Sequence, residues 1–173
     1  MGNPTTAIDR LNNMDMAGFV ELLGGIFEHS PWVAERVYSA RPFASRADLH
    51  HKMVAEVRKA SVEQRTALLC QHPELAGKEA DAGRLTDASR REQAGAGLNQ
   101  CSADELTRIK HFNQAYAAKF GFPFIIAVSG LDKQQILAAM QQRLDHAATG
   151  EFATALAEVE KIALIRLGAL IDE

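Results

Sequence analysis

The chain has 173 residues, 24% of them charged, and a formal net charge of -3 at pH 7. This length gives room for one sizeable core, so a single domain over residues 1–173 is expected. The modest negative charge argues against nucleic-acid and anionic-membrane partners. The apolar runs are far shorter than the roughly 20 residues that span a bilayer. Met1–Thr6 fits the loose N-myristoylation pattern, which is weak without other support.

Helix signals follow one another along the chain. Serine or aspartate precedes most apolar stretches of 3.6-residue periodicity, which is where helix caps are expected. Residues 77–88 are polar and predict a loop or a frayed turn, and residues 121–131 predict an irregular segment. The eight predicted helices begin near Asp15, Ser30, Ser45, Ser61, Ser89, Ser102, Asp132 and Glu151. The sequence therefore predicts an all-α fold, a compact bundle of about eight helices.

One stretch departs from this helical pattern. Phe124-Ile-Ile-Ala-Val128 reads as β-structure but has no partner strand, and a lone strand is not stable. We therefore predict a short extended segment that crosses a helical domain. Its backbone N–H groups need partners if they are buried, and either neighbouring loops or a ligand can supply them.

The stretch SRREQAGAGL, residues 89–98, breaks local helix rules. On a helix, Ser89, Glu92, Gln93 and Ala96 share one face. Two glycines follow, each costing about 1 kcal/mol relative to alanine inside a helix. The face is either an exposed polar surface near a helix end or a binding surface that a ligand approaches closely.

Two polar residues fall on or beside apolar helix stripes. Asn113 lies between Ile109 and Tyr116, and a buried amide there either clamps a neighbouring loop or faces a ligand. Arg166 lies on the stripe of the last helix, where a buried guanidinium needs an anion. Its candidate partners are Glu28, Glu74, Glu92 and an anionic substrate.

Histidines are candidates for chemistry but not for a metal site. Neither His-Glu-x-x-His nor His-x-His occurs, and His50 and His51 would point about 100° apart on a helix. Phosphate-binding glycine loops and the Gly-x-Ser-x-Gly elbow are also missing from the sequence. Glu28 and His29 in FEHSPW fit a turn that caps helices. Cys70 and Cys101 show no Cys-x-x-Cys spacing and are expected to be reduced, mostly buried thiols.

The histidine of CQHPELAG, residues 70–77, follows a predicted helix and precedes a proline. His72 is thus held at a helix end, with Pro73 and an acid beside it. Together with Glu92, Gln93 and Arg166, it suggests a polar site capable of proton transfer. From the residues alone, proton transfer by His72 and a satisfied core His72–Glu92 pair both remain open.

Five motifs add a resemblance to this pattern. FEHSPWVAERV (27–37), HPELAG (72–77), SRREQAGAGL (89–98), FNQAYAAKFGFPFI (112–125) and EVEKIALIRL (158–167) resemble the OHCU decarboxylases of urate breakdown. The family name stands for 2-oxo-4-hydroxy-4-carboxy-5-ureidoimidazoline decarboxylase. The resemblance runs from about Asp15 to Leu170. It implies an all-α, cofactor-independent carboxy-lyase that yields (S)-allantoin and carbon dioxide.

The resemblance also implies a set of site residues. His72 matches the family's proton donor, and Glu92 acts with it as a catalytic residue that holds His72 or a ring N–H in the right protonation state. Arg166 matches an arginine that orients an anionic group, and Gln93 would read the ureido group or the ring edge. The substrate-binding residues implied by the family are Pro73, Ser89, Arg90, Arg91, Glu92, Gln93, Phe124, Ile125, Ile126, Ala127, Val128 and Arg166.

Partners and location follow from the same resemblance. The expected partner is a small ureidoimidazoline, with no nucleic acid, no membrane, no metal and no cofactor. Some family members are dimers, and Trp32 or Phe43 are candidate interface residues. The chain lacks a C-terminal Ser-Lys-Leu signal, so a cytoplasmic enzyme is expected. The alternatives are another small-ring hydrolase with His72 as base, and a non-catalytic helical binding module.

Overall fold

A computed structural model describes residues 6–172 of the chain. This part forms ten α-helices and a 3-10 turn at Tyr38–Ala40, and no strand is assigned within it. The helices are α1 (Ala7–Asn12), α2 (Met16–Leu23), α3 (Trp32–Val37), α4 (Arg46–Lys59), α5 (Val62–Cys70), α6 (Lys78–Asp81), α7 (Asp87–Gly95), α8 (Ala103–Phe120), α9 (Lys133–Leu144) and α10 (Ala148–Leu170). The all-α class is confirmed. The two helices beyond the eight predicted are the short α1 and α6.

Side-chain caps start most of the helices where the sequence predicts them. Asp15, Ser45 and Ser61 each accept a hydrogen bond from the backbone N–H three residues later. Ser102 and Asp132 form complete capping boxes with the residues three positions on. These bonds satisfy N–H groups that the first helical turn leaves without partners, which is why the signals are reliable.

Several predicted boundaries are wrong, among them the start of α10, which begins at Ala148 rather than near Glu151. Ser30 does not cap α3, because its hydroxyl donates to the Glu28 carbonyl at 3.1 Å and Pro31 takes the cap position without a side-chain bond. Helix α7 begins two residues before Ser89, because Thr86 accepts from the Ser89 N–H at 3.2 Å. The predicted loop at 77–88 contains the single-turn helix α6. The predicted burial of both thiols is also wrong, since Cys70 is exposed and Cys101 is half-buried. The myristoylation match at Met1–Thr6 lies, except for Thr6, outside the described residues.

The chain groups into two compact units. The first joins the residues up to Gln71 with those from Glu160 onward, and the second comprises His72–Val159. The single-domain organisation expected from length therefore stays a prediction. None of the helices in residues 6–172 combines the length and apolarity needed to cross a membrane.

The first unit has an aromatic and aliphatic core. Phe19 is fully buried, meets the Tyr38 ring edge-on at 5.3 Å and stacks on Phe43 at 6.0 Å. Phe43 is itself buried, whereas Trp32 is half-buried beneath the Arg36 guanidinium. The side chains that complete this core include Leu23, Val33, Val37, Leu49, Met53 and Leu68.

The second unit is built around α8. Ile109, Asn113 and Tyr116 form its buried face. Tyr116 lies within an aromatic cluster, with the Phe122 ring at 5.8 Å and the Phe124 ring edge-on at 5.3 Å. Gly121 ends the helix with a left-handed φ of 81°, which glycine adopts without a Cβ penalty. Residues 123–128 then run without helix or strand, as the prediction of an irregular segment requires.

Candidate functional site

His72 lies immediately after α5. Gln71 ends that helix, and the His72 side chain is buried, with the residue only 7% exposed. Pro73 and Glu74 are half-buried. A buried imidazole beside a proline has little freedom to reorient, because proline fixes its own φ and restricts the residue before it.

The loop of residues 72–77, which we call the histidine loop, has a strained backbone. Ala76 adopts a φ of 45°, in the left-handed region that residues with a Cβ rarely occupy. A Cβ on Gly77 would lie 2.5 Å from the Glu74 Cβ, so only glycine fits there. Strained conformations of this kind persist only where surrounding contacts determine them.

Two buried amides supply those contacts. The Gln93 Oε1 accepts from the Ala76 N–H at 3.0 Å, and its Nε2 donates to the Glu74 carbonyl at 3.4 Å. The Asn113 Nδ2 donates to the Leu75 carbonyl at 2.9 Å. Asn113 therefore clamps a neighbouring loop, the first of its two predicted roles. The loop that carries His72 is thus fixed by side chains of α7 and α8.

The predicted face of α7 is only partly buried. Ser89 and Gln93, one turn apart, are buried, and Glu92 is half-buried beside them. Arg90 and Arg91 are exposed, and Arg90 pairs with Asp87 at 2.6 Å on the surface. Substrate contacts by these two arginines stay predictions.

The extended segment offers backbone donors. The N–H groups of Phe124, Ile125, Ile126 and Val128 donate to no acceptor within residues 6–172, whereas that of Ala127 donates to Glu158 Oε2 at 3.5 Å. Phe124, at the start of the segment, is buried. The one weak bond comes from a side chain of α10 and not from a neighbouring loop. Four N–H groups of the segment are left for water or a ligand.

One helix contacts both the histidine loop and this segment. Asn113 and Tyr116 are three residues apart on the buried face of α8, so they lie one above the other. Asn113 holds the histidine loop through Leu75, and Tyr116 packs on Phe124. The histidine loop and the extended segment therefore both contact the buried face of α8, through residues one turn apart.

A buried polar network that the sequence analysis missed contacts the extended segment through Arg143. Glu151 is fully buried, and its Oε1 accepts from Arg143 Nε at 2.5 Å and from the Tyr116 hydroxyl at 2.6 Å. His146 Nδ1 lies 3.0 Å from its Oε2. Burial and the bond to Glu151 raise the pKa of the Tyr116 hydroxyl, which stays protonated. The missed signal was Glu151, four residues before buried Ala155 on the α10 stripe.

Arg166 has its partner within the first unit. Its Nη1 lies 2.7 Å from Glu28 Oε2 and donates to the Gly25 carbonyl at 3.1 Å. Both charged side chains are buried. Of the predicted partners, Glu28 is therefore confirmed, and an anionic substrate stays a prediction. His29, beside this pair, is exposed with a φ of 48°.

Two open cavities border the site residues of the second unit. One, of about 300 Å³, is lined by Arg90, Gln93 and Leu98 among others. The other, of about 380 Å³, is lined by Glu74, Asn113 and Lys110 among others. The residues between 6 and 172 contain no group of three or more His, Cys, Asp or Glu side chains arranged for a metal ion.

Comparison with known proteins gives the same family that the sequence motifs resemble. Residues 12–168 match the family model of the OHCU decarboxylase domain. The chain is 42% identical over 160 residues to the 2-oxo-4-hydroxy-4-carboxy-5-ureidoimidazoline decarboxylase of Haloferax volcanii, covering 92% of this chain and 93% of that protein. It is also 42% identical over 166 residues to a uric acid degradation bifunctional protein of Bacillus sp. (strain TB-90). There it covers 96% of this chain but only 32% of the Bacillus protein.

Solved structures share the fold. The crystal structure of an (S)-allantoin synthase superposes with a TM-score of 0.77 at 34% identity, over 95% of this chain and 54% of that one. An OHCU decarboxylase crystallised in the presence of (S)-allantoin superposes with a TM-score of 0.68 at 23% identity, over 84% of this chain and 94% of that one, and so supports the fold alone. With a family model covering most of its length, the chain belongs to the OHCU decarboxylase family.

Proposed function

We propose that the chain is a carboxy-lyase that converts 2-oxo-4-hydroxy-4-carboxy-5-ureidoimidazoline to (S)-allantoin and carbon dioxide. The observation that carries this proposal is His72, the match to the family's proton donor, buried on a strained loop that two amide side chains hold. A proton donor that controls stereochemistry must present its proton from one fixed direction, and such a loop provides that direction.

The reaction needs an electron sink and one proton. The bond between the ring carbon and the carboxylate carbon breaks, and carbon dioxide leaves. The bonding electron pair passes into the imidazoline ring, and a proton then adds to a ring carbon. Because the substrate's own ring accepts the electron pair, no cofactor is required for this step. His72 delivers the proton to one face of the ring, which gives a single enantiomer where spontaneous decay gives both.

Backbone donors stabilise the charge that develops in the ring. The N–H groups of Ile125, Ile126 and Val128 have no acceptor within the described chain, so they can bond ring or ureido oxygens. Fixed donors of this kind act most strongly when they point to where negative charge appears in the transition state. This role supports substrate binding by the backbone of residues 124–128.

The acid and the amide of α7 have separate tasks. Glu92 is half-buried one position before Gln93, and holds His72 or a ring N–H in its reactive protonation state. Gln93 already bonds both sides of the histidine loop, but its bond to the Glu74 carbonyl is long at 3.4 Å. Its Nε2 group is therefore the part that reads the substrate, while its Oε1 holds the loop.

The remaining family assignments concern binding and assembly. Arg166 orients an anionic group of the substrate without burying the departing carboxylate, because strong pairing would stabilise the ground state.

We also propose a cytoplasmic enzyme that forms a homodimer. Phe43 is buried in the core, so Trp32 is the surface-accessible candidate of the two interface residues. Light scattering of wild type and Trp32→Ser tests this assembly.

The function is tested by circular dichroism at a wavelength sensitive to allantoin. Urate oxidase and hydroxyisourate hydrolase generate the unstable substrate in the cuvette, and the chain is then added. We expect a fast rise of optically active (S)-allantoin with wild type and a slow, optically silent decay with His72→Ala. Far-UV spectra of both proteins establish that they are equally folded.

Each other outcome removes part of the proposal. A wild-type trace equal to the control without the chain contradicts the decarboxylase assignment. Equal activity of wild type and His72→Ala keeps the activity but reduces His72 to a structural residue. A His72→Ala protein that unfolds, while His72→Asn folds and keeps full activity, has the same meaning.

A further inference from the structure

One buried cation contacts the backbone of the extended segment. Arg143 of α9 donates from Nη1 to the Ile125 carbonyl at 2.6 Å. Its guanidinium also lies over the Phe124 ring, 4.3 Å from the ring centre. Arg143 is therefore bound to the same segment that carries the four N–H groups with no acceptor in the described residues.

The contact at Ile125 determines the direction of the next N–H group. The Ile125 carbonyl and the Ile126 N–H belong to one planar trans peptide and point in opposite directions. Holding the carbonyl oxygen toward Arg143 therefore turns the Ile126 N–H away from it. A cationic donor on the carbonyl also polarises the peptide, which makes that N–H a stronger donor.

Arg143 is itself held in place. Its Nε donates to Glu151, which is 0% exposed and is also bound by the Tyr116 hydroxyl and by His146. The planar guanidinium reaches the carboxylate and the Ile125 carbonyl at the same time through different nitrogens. A lysine has one nitrogen at this position and no planar fork, so it cannot reproduce both bonds in the same geometry.

We propose that Arg143, fixed by Glu151, is a positioning residue that aims the Ile126 N–H at an oxygen of the bound ureidoimidazoline. The inference rests on the proposed function and adds to it a residue that touches the segment but not the substrate. The aimed N–H strengthens its bond as charge develops in the ring. Arg143 therefore acts on turnover and on the stereochemistry of protonation, through a ring held in one orientation.

The test compares Arg143→Lys, Tyr116→Phe and the control Lys133→Met with wild type. Lys133 bonds Glu105 and the Gln100 carbonyl in the same unit, and does not contact the extended segment. We expect kcat to fall about tenfold in Arg143→Lys, the effect of one lost charge-assisted bond, with a smaller change in KM. Tyr116→Phe keeps the Arg143 bond to the Ile125 carbonyl, so its kcat should lie between those of Arg143→Lys and wild type. Lys133→Met should have the kcat and KM of wild type.

Two readouts separate positioning from a merely structural role. The enantiomeric excess of the allantoin formed should fall in Arg143→Lys, because a loosely held ring is protonated on both faces. The amide proton of Ile126 should move downfield when (S)-allantoin binds wild type, and much less in Arg143→Lys. Racemic spontaneous decay also lowers the enantiomeric excess when active enzyme is scarce, so the variants are compared at enzyme concentrations adjusted to equal rates of turnover. A loss of folded protein does not change the Ile126 shift of the folded fraction.

The outcomes distinguish this inference from the proposed function. Wild-type enantiomeric excess and Ile126 shift in a folded Arg143→Lys would overturn the inference while the decarboxylase stands. If Arg143→Lys does not fold, the same two readouts are taken on Glu151→Gln and Tyr116→Phe, and wild-type values in both overturn it. No (S)-allantoin from wild type contradicts the proposed function instead.

Discussion

The two units each bury an arginine against a glutamate, but the surroundings of the two pairs differ. Arg166 and Glu28 form the first pair, 7% and 2% exposed, with the Gly25 carbonyl as a further acceptor for Arg166. In the second, Glu151 is shared among Arg143, Tyr116 and His146. One charge pair thus holds a loop carbonyl, and the other organises a network. The Glu151 carboxylate belongs to a network because three side chains share it.

The largest expected effect is on stability when a carboxylate is removed. Glu151→Ala should cost about 3–5 kcal/mol of unfolding free energy, because it leaves the Arg143 cation buried without its anion. Glu28→Ala should also be destabilising, because it removes the anion beside the buried Arg166 cation. Urea unfolding measures the cost of each variant. A loss below about 1 kcal/mol in Glu151→Ala, the value of a surface pair, would contradict the network.

The next effect tests whether the pairs stabilise the fold or position groups within it. Replacing both partners by apolar residues removes the unpaired charge, so Arg143→Met with Glu151→Leu should regain about 2 kcal/mol over Glu151→Ala. Activity should not return with it, because the bond to the Ile125 carbonyl is gone. Unfolding and turnover of the double variant are measured together. Recovery of wild-type turnover would show that the pair only fills space.

A third effect separates the two arginines in catalysis. Arg166→Lys should raise KM about tenfold, which is the loss expected when one bidentate contact to an anion is removed. The enantiomeric excess should stay near the wild-type value. Arg143→Lys should lower the enantiomeric excess and should change KM less than Arg166→Lys does. Steady-state kinetics with chiral analysis of the product compare the two. Unchanged KM in Arg166→Lys would assign that residue to structure through Glu28.

The smallest effect comes from an exposed pair. The Ser102 N–H and Lys133 bind the Glu105 carboxylate and hold its pKa below its ordinary value of 4.5. A lowered folded-state pKa gives stability above the unfolded pKa, and this stability is lost as the pH falls through the folded pKa. Lys133→Met should therefore be slightly less stable than wild type at about pH 7, with a smaller difference at about pH 3. Urea unfolding at both pH values measures it, and a constant difference contradicts the assignment.

Local signals predicted the fold well. Caps such as Ser61, Ser102 and Asp132 act within three residues, so their effect is visible in the sequence. Ser30 failed because its hydroxyl has a competing backbone acceptor two residues earlier. The short helices α1 and α6 were missed, because elements of four to six residues carry little periodicity.

The site was predictable only in part. The resemblance identified the family, which the match over residues 12–168 confirms. Asn113 and Arg166 were found because polar residues stood out beside apolar stripes. Arg143 and Glu151 were missed, because their bond joins two helices through a geometry that spacing does not encode. The left-handed Ala76 also gave no signal, since alanine is ordinary in helices and turns.

The most direct measurement follows carbon dioxide release and allantoin optical activity in one reaction of wild type with freshly generated substrate. The account predicts that both rise together, one carbon dioxide for each (S)-allantoin, and faster than in the control without the chain. A fast loss of substrate without carbon dioxide would identify a ring hydrolase. Carbon dioxide released only at the control rate, with racemic allantoin, would contradict the decarboxylase assignment.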